Sequence, residues 1–374
     1  MTDDSRLKIP QYIEEIDPYI PGKPIEEVER ELGLTAVKLA SNENPLGPSP
    51  LAVEAARRAL AESHRYPDGG SYYLREALAA RLGVPREKII VGSGSTDIIH
   101  LAASVLLGAG ESAVTSQGSF PLYYIAIEKM GANLIAVPQK NYAFDLDGIA
   151  RAVQKDTKII YIANPNNPTG SIFDADAFDT FLQKIPEEIL VVLDEAYYEY
   201  VQMKNYSRSL DLVRANKNVL VLRTFSKVYG LAGLRVGYGI GPVELIGAMD
   251  KIRLPFPVSG VAQAAALAAL DDTEHVKRSL EANRAGLRQL ENGLREIGVK
   301  FAPSVTNFVL VEVGGDADVL AGELLKLGVI VRPMAWMGFP HAIRVTVGTR
   351  EENEKFLNAL QQLKGTVAAG KQNG

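Results

Sequence analysis

The chain has 374 residues, 47% apolar and 23% charged, an ordinary globular composition with length for about two domains. Its 40 Lys and Arg against 45 Asp and Glu give a net charge of -5, so no basic surplus exists to neutralise a nucleic-acid backbone or dock on an anionic membrane. Cysteine is absent, which excludes disulfides, thiolate metal sites and thiol nucleophiles, and His64, His100, His275 and His341 never fall at i, i+4 spacing, so no metal is expected.

In chain order, residues 1–44 scatter Pro10, Pro18, Pro21, Gly22 and Pro24 around a short polar helix pattern and read as an extended arm. The first residues are acidic and polar with no apolar leader, and no run reaches the roughly 18 apolar residues of a membrane span, so the expectation is a cytoplasmic protein. Ser49-Pro50 opens a helix as N-cap and first-turn proline, and a second helix runs from Ser71 to a stop at Gly83. Short apolar runs then alternate with helical patterns. Strands are predicted at 88–92, 112–115, 133–137, 158–163, 189–193, 218–223 and 235–240, with helices at 95–107 and 120–130 among them. That alternation predicts a largely parallel α/β sheet covered on both faces. An Ala-rich buried helix at 258–270 leads into a long amphipathic helix from Thr273 to about Ile297, expected to join two domains. Strands at 307–313, 329–332 and 342–347 with helices at 317–327 and 350–363 form a smaller α+β unit, and residues 365–374 read as a flexible tail.

Four segments carry candidate chemistry. Gly92-Ser93-Gly94-Ser95-Thr96-Asp97 lies between a strand and a helix, where backbone N–H groups and hydroxyls cradle a phosphate, although the same residues make a turn and an N-cap. It has neither the dinucleotide fingerprint nor the Walker pattern, so it supports neither NAD nor ATP. Asn164 to Gly170 holds two prolines at what would be a carboxyl end of the sheet, the edge where ligands bind in such folds, and is equally good turn sequence. Asp194 and Glu195 end a run of five apolar residues; such an acid either meets a cation or caps a turn. In the stretch from Arg223 to Arg235, Lys227 stands without charged neighbours after an apolar strand, the setting Schiff-base chemistry on a phosphorylated aldehyde requires.

Taken in order, Ala40 to Gly47, Arg65-Tyr66-Pro67-Asp68, the Gly92 cup, Asn164 to Gly170, Asp194-Glu195-Ala196-Tyr197, Ser226-Lys227 to Arg235, and Ile343 to Gly348 resemble the fold-type I pyridoxal-phosphate (PLP) aminotransferases, in their histidinol-phosphate branch, over nearly the whole chain. The resemblance implies a large domain with a mostly parallel seven-stranded sheet at 45–270, a small domain at 271–364, and an arm at 1–44 packing on the small domain or a partner subunit. It makes Lys227 the Schiff-base lysine and proton shuttle, places Asp194 on the pyridine nitrogen, and sets Asn167 and Tyr197 on the ring's 3-oxygen. Phe120 would stack on the ring. Ser95, Thr96, Thr224, Ser226 and Arg235 would hold the cofactor and its phosphate, and Tyr66 would reach the phosphate of the neighbouring subunit, implying a homodimer with shared sites. For the amino-acid and 2-oxo-acid substrates it implies Arg344, Arg332, Tyr19 and Asn44. Alternation at 342–347 independently puts Arg344 and Thr346 on the face opposite Ile343, Val345 and Val347.

The sequence departs from the family pattern at Ser95-Thr96-Asp97, where relatives carry a small residue, Asp and Glu. Gly118 stands where many relatives have an aromatic residue, and Trp336-Met337-Gly338-Phe339 replaces small and tyrosine residues of a substrate-facing loop. Those aromatic residues would favour phenylalanine or tyrosine over histidinol phosphate, so an aromatic amino-acid aminotransferase stays open. So do a PLP-dependent decarboxylase of a phosphorylated amino acid and a non-catalytic PLP-binding protein, though the last has no use for Lys227, Asp194, Tyr197 and Arg235 together.

Overall fold

The computed structural model describes residues 7–20 and 22–363, and the tail expected at 365–374 lies outside them. Seven strands form the main sheet in the spatial order Ile89–Gly92, Gly237–Ile240, Val219–Thr224, Leu190–Asp194, Thr157–Ala163, Ser112–Ser116, Asn133–Val137. Gly237–Ile240 runs antiparallel to both neighbours and the remaining pairs are parallel. Every residue of Val219–Thr224 and Leu190–Asp194 is buried, which explains why these strands are continuous apolar runs with no alternation: helices cover both faces. Ile98, Ile99, Ala102 and Ala103 of the helix Ser95–Leu106 join the same core.

A second core surrounds a four-stranded antiparallel sheet in the order Arg332–Met334, Phe339–Thr346, Phe308–Glu312, Lys300–Phe301. The helices Ala317–Lys326 and Arg350–Gln362 contribute Leu320, Leu324, Phe356 and Leu360 to it. The helix Thr273–Ile297 bridges the two: Val276 and Leu280 pack on the first core, Leu290, Leu294 and Ile297 belong to the second. Its start is locked to another helix start. Ser49 Oγ caps the helix Pro50–Leu60 at Ala52 N (3.2 Å) and donates to Asp272 Oδ2 (2.6 Å), while Asp272 accepts from His275 N (3.1 Å).

Two expectations need correction. The predicted strand 329–332 is split: Val329–Ile330 pairs in parallel with Val37–Lys38, and Arg332–Met334 joins the antiparallel sheet. Consequently the stretch from Ile25 to Ala40 is a packed segment instead of an extended arm, with Val28, Ala36 and Ala40 buried around Ile330. A two-residue strand has too few positions to show a period, so the sequence could not announce it.

Candidate active site

A cavity of about 400 Å³ opens at the carboxyl ends of the parallel strands and is closed from the other side by the antiparallel sheet together with Tyr19, Gly22 and Ala40 to Glu43. Asp194, the last residue of its strand, is 6% exposed; its Oδ2 accepts from Tyr123 Oη (2.8 Å) and its Oδ1 from Ala196 N (3.0 Å). Burial pushes this carboxyl up to about 6, and those two hydrogen bonds and the Lys227 charge oppose the shift. Glu195, next in sequence, turns the other way into an ion pair with Arg223 (2.8 Å), so only Asp194 faces the cavity. The Lys227 amine has no hydrogen bond or ion pair among the described residues and lies 5.6 Å from the Tyr197 ring centre. Its pKa is lowered to about 8, chiefly by burial and then by the Arg344 charge, so at neutral pH more of the amine is neutral and nucleophilic than in an ordinary lysine.

Opposite lies the cup. Gly94 adopts φ +77°, and a Cβ there would come within 2.5 Å of an Arg235 guanidinium nitrogen, so only glycine lets the arginine lie across the helix start at Ser95. Arg235 donates to Ser226 Oγ (3.4 Å), and Ser95, Thr96, Thr224 and Ser226 complete the lining. Asp97, the departure from the family pattern, accepts from Ser93 N (3.1 Å) and ties the cup's own backbone.

The substrate-facing side is built from two arginines directly opposite each other on antiparallel strands, Arg332 and Arg344. Arg344 donates to Asn167 Oδ1 (2.6 Å) and to the Ala40 carbonyl (2.7 Å), while its buried Nε has no partner in the structure. Arg332 donates to the Ile20 carbonyl and lies near the rings of Tyr19 (5.7 Å) and Trp336 (4.8 Å). Among the described residues neither arginine has a carboxylate within ion-pair distance, although both are buried. Burial draws both guanidiniums below their ordinary pKa, and for Arg344 the facing Arg332 adds to the effect. Like charges opposite one another in a sheet are destabilising, and a buried cation without a partner is more so. Among the described residues, no acidic side chain neutralises either member of the pair.

Residues 35–360 match the family described as aminotransferase class I and II. The chain is 48% identical to histidinol-phosphate aminotransferase 1 of Nitrosococcus oceani over 350 residues, covering 93% of this chain and 95% of that one. It is 47% identical to the histidinol-phosphate aminotransferase of Moorella thermoacetica, covering 93% and 91%. Among solved structures it is similar to histidinol-phosphate aminotransferase from Sinorhizobium meliloti in complex with pyridoxal-5'-phosphate, with a TM-score of 0.88, 31% identity, and coverage of 98% of this chain and all of that chain. The chain belongs to the class I and II aminotransferases. A double mutant of Thermus thermophilus aspartate aminotransferase shares the fold at TM-score 0.83 and 26% identity, covering 96% of this chain and 100% of that one.

As an aminotransferase site, the cavity gathers Lys227, Asp194, Tyr197, Asn167, Phe120, Ser95, Thr96, Thr224, Ser226, Arg235, Arg344, Arg332 and Tyr19. The donor set fits a phosphorylated pyridine aldehyde: an unpartnered amine, a buried carboxylate at the far end, and a cup of hydroxyls and guanidinium at the other. Two candidates fall elsewhere. Tyr66 is 84% exposed and stacked on Phe256 (4.7 Å), away from this chain's own cavity. Asn44 is corrected: it donates to Val228 O and Ser279 Oγ, and the asparagine of its segment that lines the cavity is Asn42, which donates to Tyr197 Oη (2.8 Å).

The expectation of a more aromatic pocket is also corrected. The Phe339 ring sits where a Cβ on Gly118 would come within 2.6 Å, so the aromatic missing at 118 is supplied from the loop, into a small satellite core with Met334 and Tyr142. Neither Trp336 nor Phe339 lines the cavity. Sequence reasoning missed Asn42, whose φ of +56° lies in a stretch without periodicity, and Tyr123, which the apolar pattern of its helix disguises as core. The Asn-Pro-Asn-Asn-Pro loop also divides its work: Asn164 and Asn166 bond Phe173, Ser119 and Thr169, and Asn167 alone faces the cavity.

Proposed function

We propose that this chain is a PLP-dependent histidinol-phosphate aminotransferase of histidine biosynthesis, exchanging an amino group between L-histidinol phosphate and 2-oxoglutarate in a ping-pong cycle. The observation that carries the reading is the uncompensated Arg332–Arg344 pair facing Lys227 and Asp194 across one cavity. One amine partner brings a carboxylate and the other a phosphate, and each needs a cation. The names of the relatives from Nitrosococcus oceani and Moorella thermoacetica support the same substrate.

Bound in the cavity, PLP supplies a sink for the electron pair left when the substrate α-carbon loses its proton. The chain's own residues do the rest. Lys227 would hold the cofactor through its Nζ, and the same amine would carry the proton taken from the substrate α-carbon. Asp194, fixed by Tyr123 and Ala196, would hold the proton of the pyridine nitrogen. Asn167 and Tyr197 would donate to the ring's 3-oxygen, and Phe120 would pack on the ring. Ser95, Thr96, Thr224, Ser226 and Arg235 anchor the phosphate through charge-assisted bonds. Arg344 grips the carboxylate of glutamate bidentately, and Arg332 with Tyr19 holds the phosphate of histidinol phosphate.

The two cores and the bridging helix support a large domain at 45–270 and a small domain at 271–364, with the segment from Ile25 to Ala40 packed on the latter. The exposed Leu254 (78%) and the Tyr66–Phe256 stack support a homodimer in which Tyr66 reaches the neighbour's phosphate. Among the described residues no helix is long and apolar enough to cross a membrane, and the acidic balance offers nucleic acid nothing; the reading is cytoplasmic. Steady-state turnover tests the proposal: histidinol phosphate with 2-oxoglutarate must yield glutamate without carbon dioxide, and Lys227→Ala must abolish it. Carbon dioxide release, or unchanged turnover in that variant, would refute it.

A further inference from the structure

Trp336 is the chain's one tryptophan and lies in one of the segments that depart from the family pattern. It occupies a short turn, Ala335–Met337, stopped by Gly338 at φ +89°. The indole is pinned on three sides. Its Nε1 donates to the Pro333 carbonyl (3.1 Å), its edge meets the Tyr19 ring (5.6 Å, 82°), and its ring lies 4.8 Å from the Arg332 guanidinium carbon. Arg332 bonds the Ile20 carbonyl in turn, so Trp336, Arg332 and the Tyr19-Ile20 segment form one cluster behind the cavity wall, with Trp336 itself outside the lining.

A long flexible guanidinium has many rotamers, and the charge opposite, Arg344, pushes it outward. The aromatic contacts oppose that push and cost the site no hydrogen-bond donor, because a cation–π contact uses the face of the guanidinium or its charge and leaves N–H edges free. We infer that Trp336 is a specificity-determining positioning residue: its indole holds Arg332 and Tyr19 so that the cavity selects substrates that carry a phosphomonoester over those with a neutral side chain. The inference rests on the proposed role of Arg332 as an anion holder.

Inorganic phosphate is the probe. In the PLP-loaded enzyme it competes with the amine substrate in the glutamate half-reaction, and in Trp336→Ala its inhibition constant rises about 5- to 10-fold, the worth of one cation–π contact of roughly 1–1.4 kcal/mol. The change falls on affinity and spares the limiting rate. Trp336→Phe restores the constant to within about twofold, because the aromatic face and edge return. In the wild type, emission from this sole tryptophan changes with phosphate at the same midpoint, and Arg332→Gln abolishes the response. An unchanged inhibition constant in Trp336→Ala, or a lowered limiting rate with the constant unchanged, overturns the inference. Phosphate competition that depends on Trp336, with histidinol phosphate inert as an amine, upholds the inference and refutes the proposed substrate instead.

Discussion

Arg223 and Arg344 are both buried guanidiniums on strand residues near the same carboxyl edge, and their surroundings are opposite. Arg223 bonds Glu195 Oε2 through Nε and a terminal nitrogen (3.0 and 2.8 Å), lies 3.6 Å from the Tyr198 ring centre, and its partner is further held by the Ser207 and Ser209 hydroxyls. Burial draws Arg223 down, and Glu195 leads the charges that more than reverse it, leaving its pKa above the ordinary value. Arg344 has an amide and a carbonyl for partners, a like charge opposite, and one orphaned nitrogen. A completed charge holds the fold; the proposed function gives the incomplete one to a ligand.

The sharpest way to break this contrast is to remove each guanidinium. Arg223→Ala leaves Glu195 buried without a counter-charge, and denaturant unfolding should show a loss of about 3–5 kcal/mol. Arg344→Met should leave the same unfolding curve unchanged or shift it toward greater stability, since no counter-charge is orphaned. Its cost falls on substrate instead: the KM for glutamate should rise roughly 10- to 150-fold, the 1.5–3 kcal/mol of a charge-assisted hydrogen bond. Arg235→Ala tests the cup by the same logic. There equilibrium dialysis should show PLP retention weakened by about 10- to 100-fold, with the α-proton transfer rate of the loaded enzyme less affected.

The smallest effect links the two sides of the cavity. PLP loading needs the neutral Lys227 amine, so the loading rate of cofactor-free enzyme should rise about tenfold per pH unit and level off near 8, more than two units below an ordinary lysine. Because Arg344 is one cause of the lowered pKa, Arg344→Met should move that plateau to higher pH; desolvation, the larger cause, stays. A stopped-flow pH series of absorbance change on loading checks it, and identical plateaus in both proteins would show that Lys227 and Arg344 are electrically independent.

Much of this was legible in the residues. The parallel strands announce themselves because burial on both faces demands unbroken apolar runs, as in Ile189 to Leu193, and the acids that end such runs land at the functional edge. Arg344 was legible for the opposite reason: its strand alternates, with Ile343, Val345 and Val347 in the second core. Choosing Asp194 over Glu195 was beyond pattern, since the choice depends on Arg223 from another strand. Asn42 in place of Asn44 turned on a left-handed backbone at one residue, and the pairing of Phe339 with Gly118 joins positions more than 200 apart in sequence. Such features are settled by tertiary contacts and leave no local period.

The most direct measurement is a half-reaction on the purified PLP-loaded enzyme, mixed separately with histidinol phosphate, histidine, phenylalanine, tyrosine and glutamate while the visible absorbance of the bound cofactor is followed. The account predicts rapid loss of that absorbance with histidinol phosphate and glutamate alone. Rapid loss with phenylalanine or tyrosine, and none with histidinol phosphate, would contradict it.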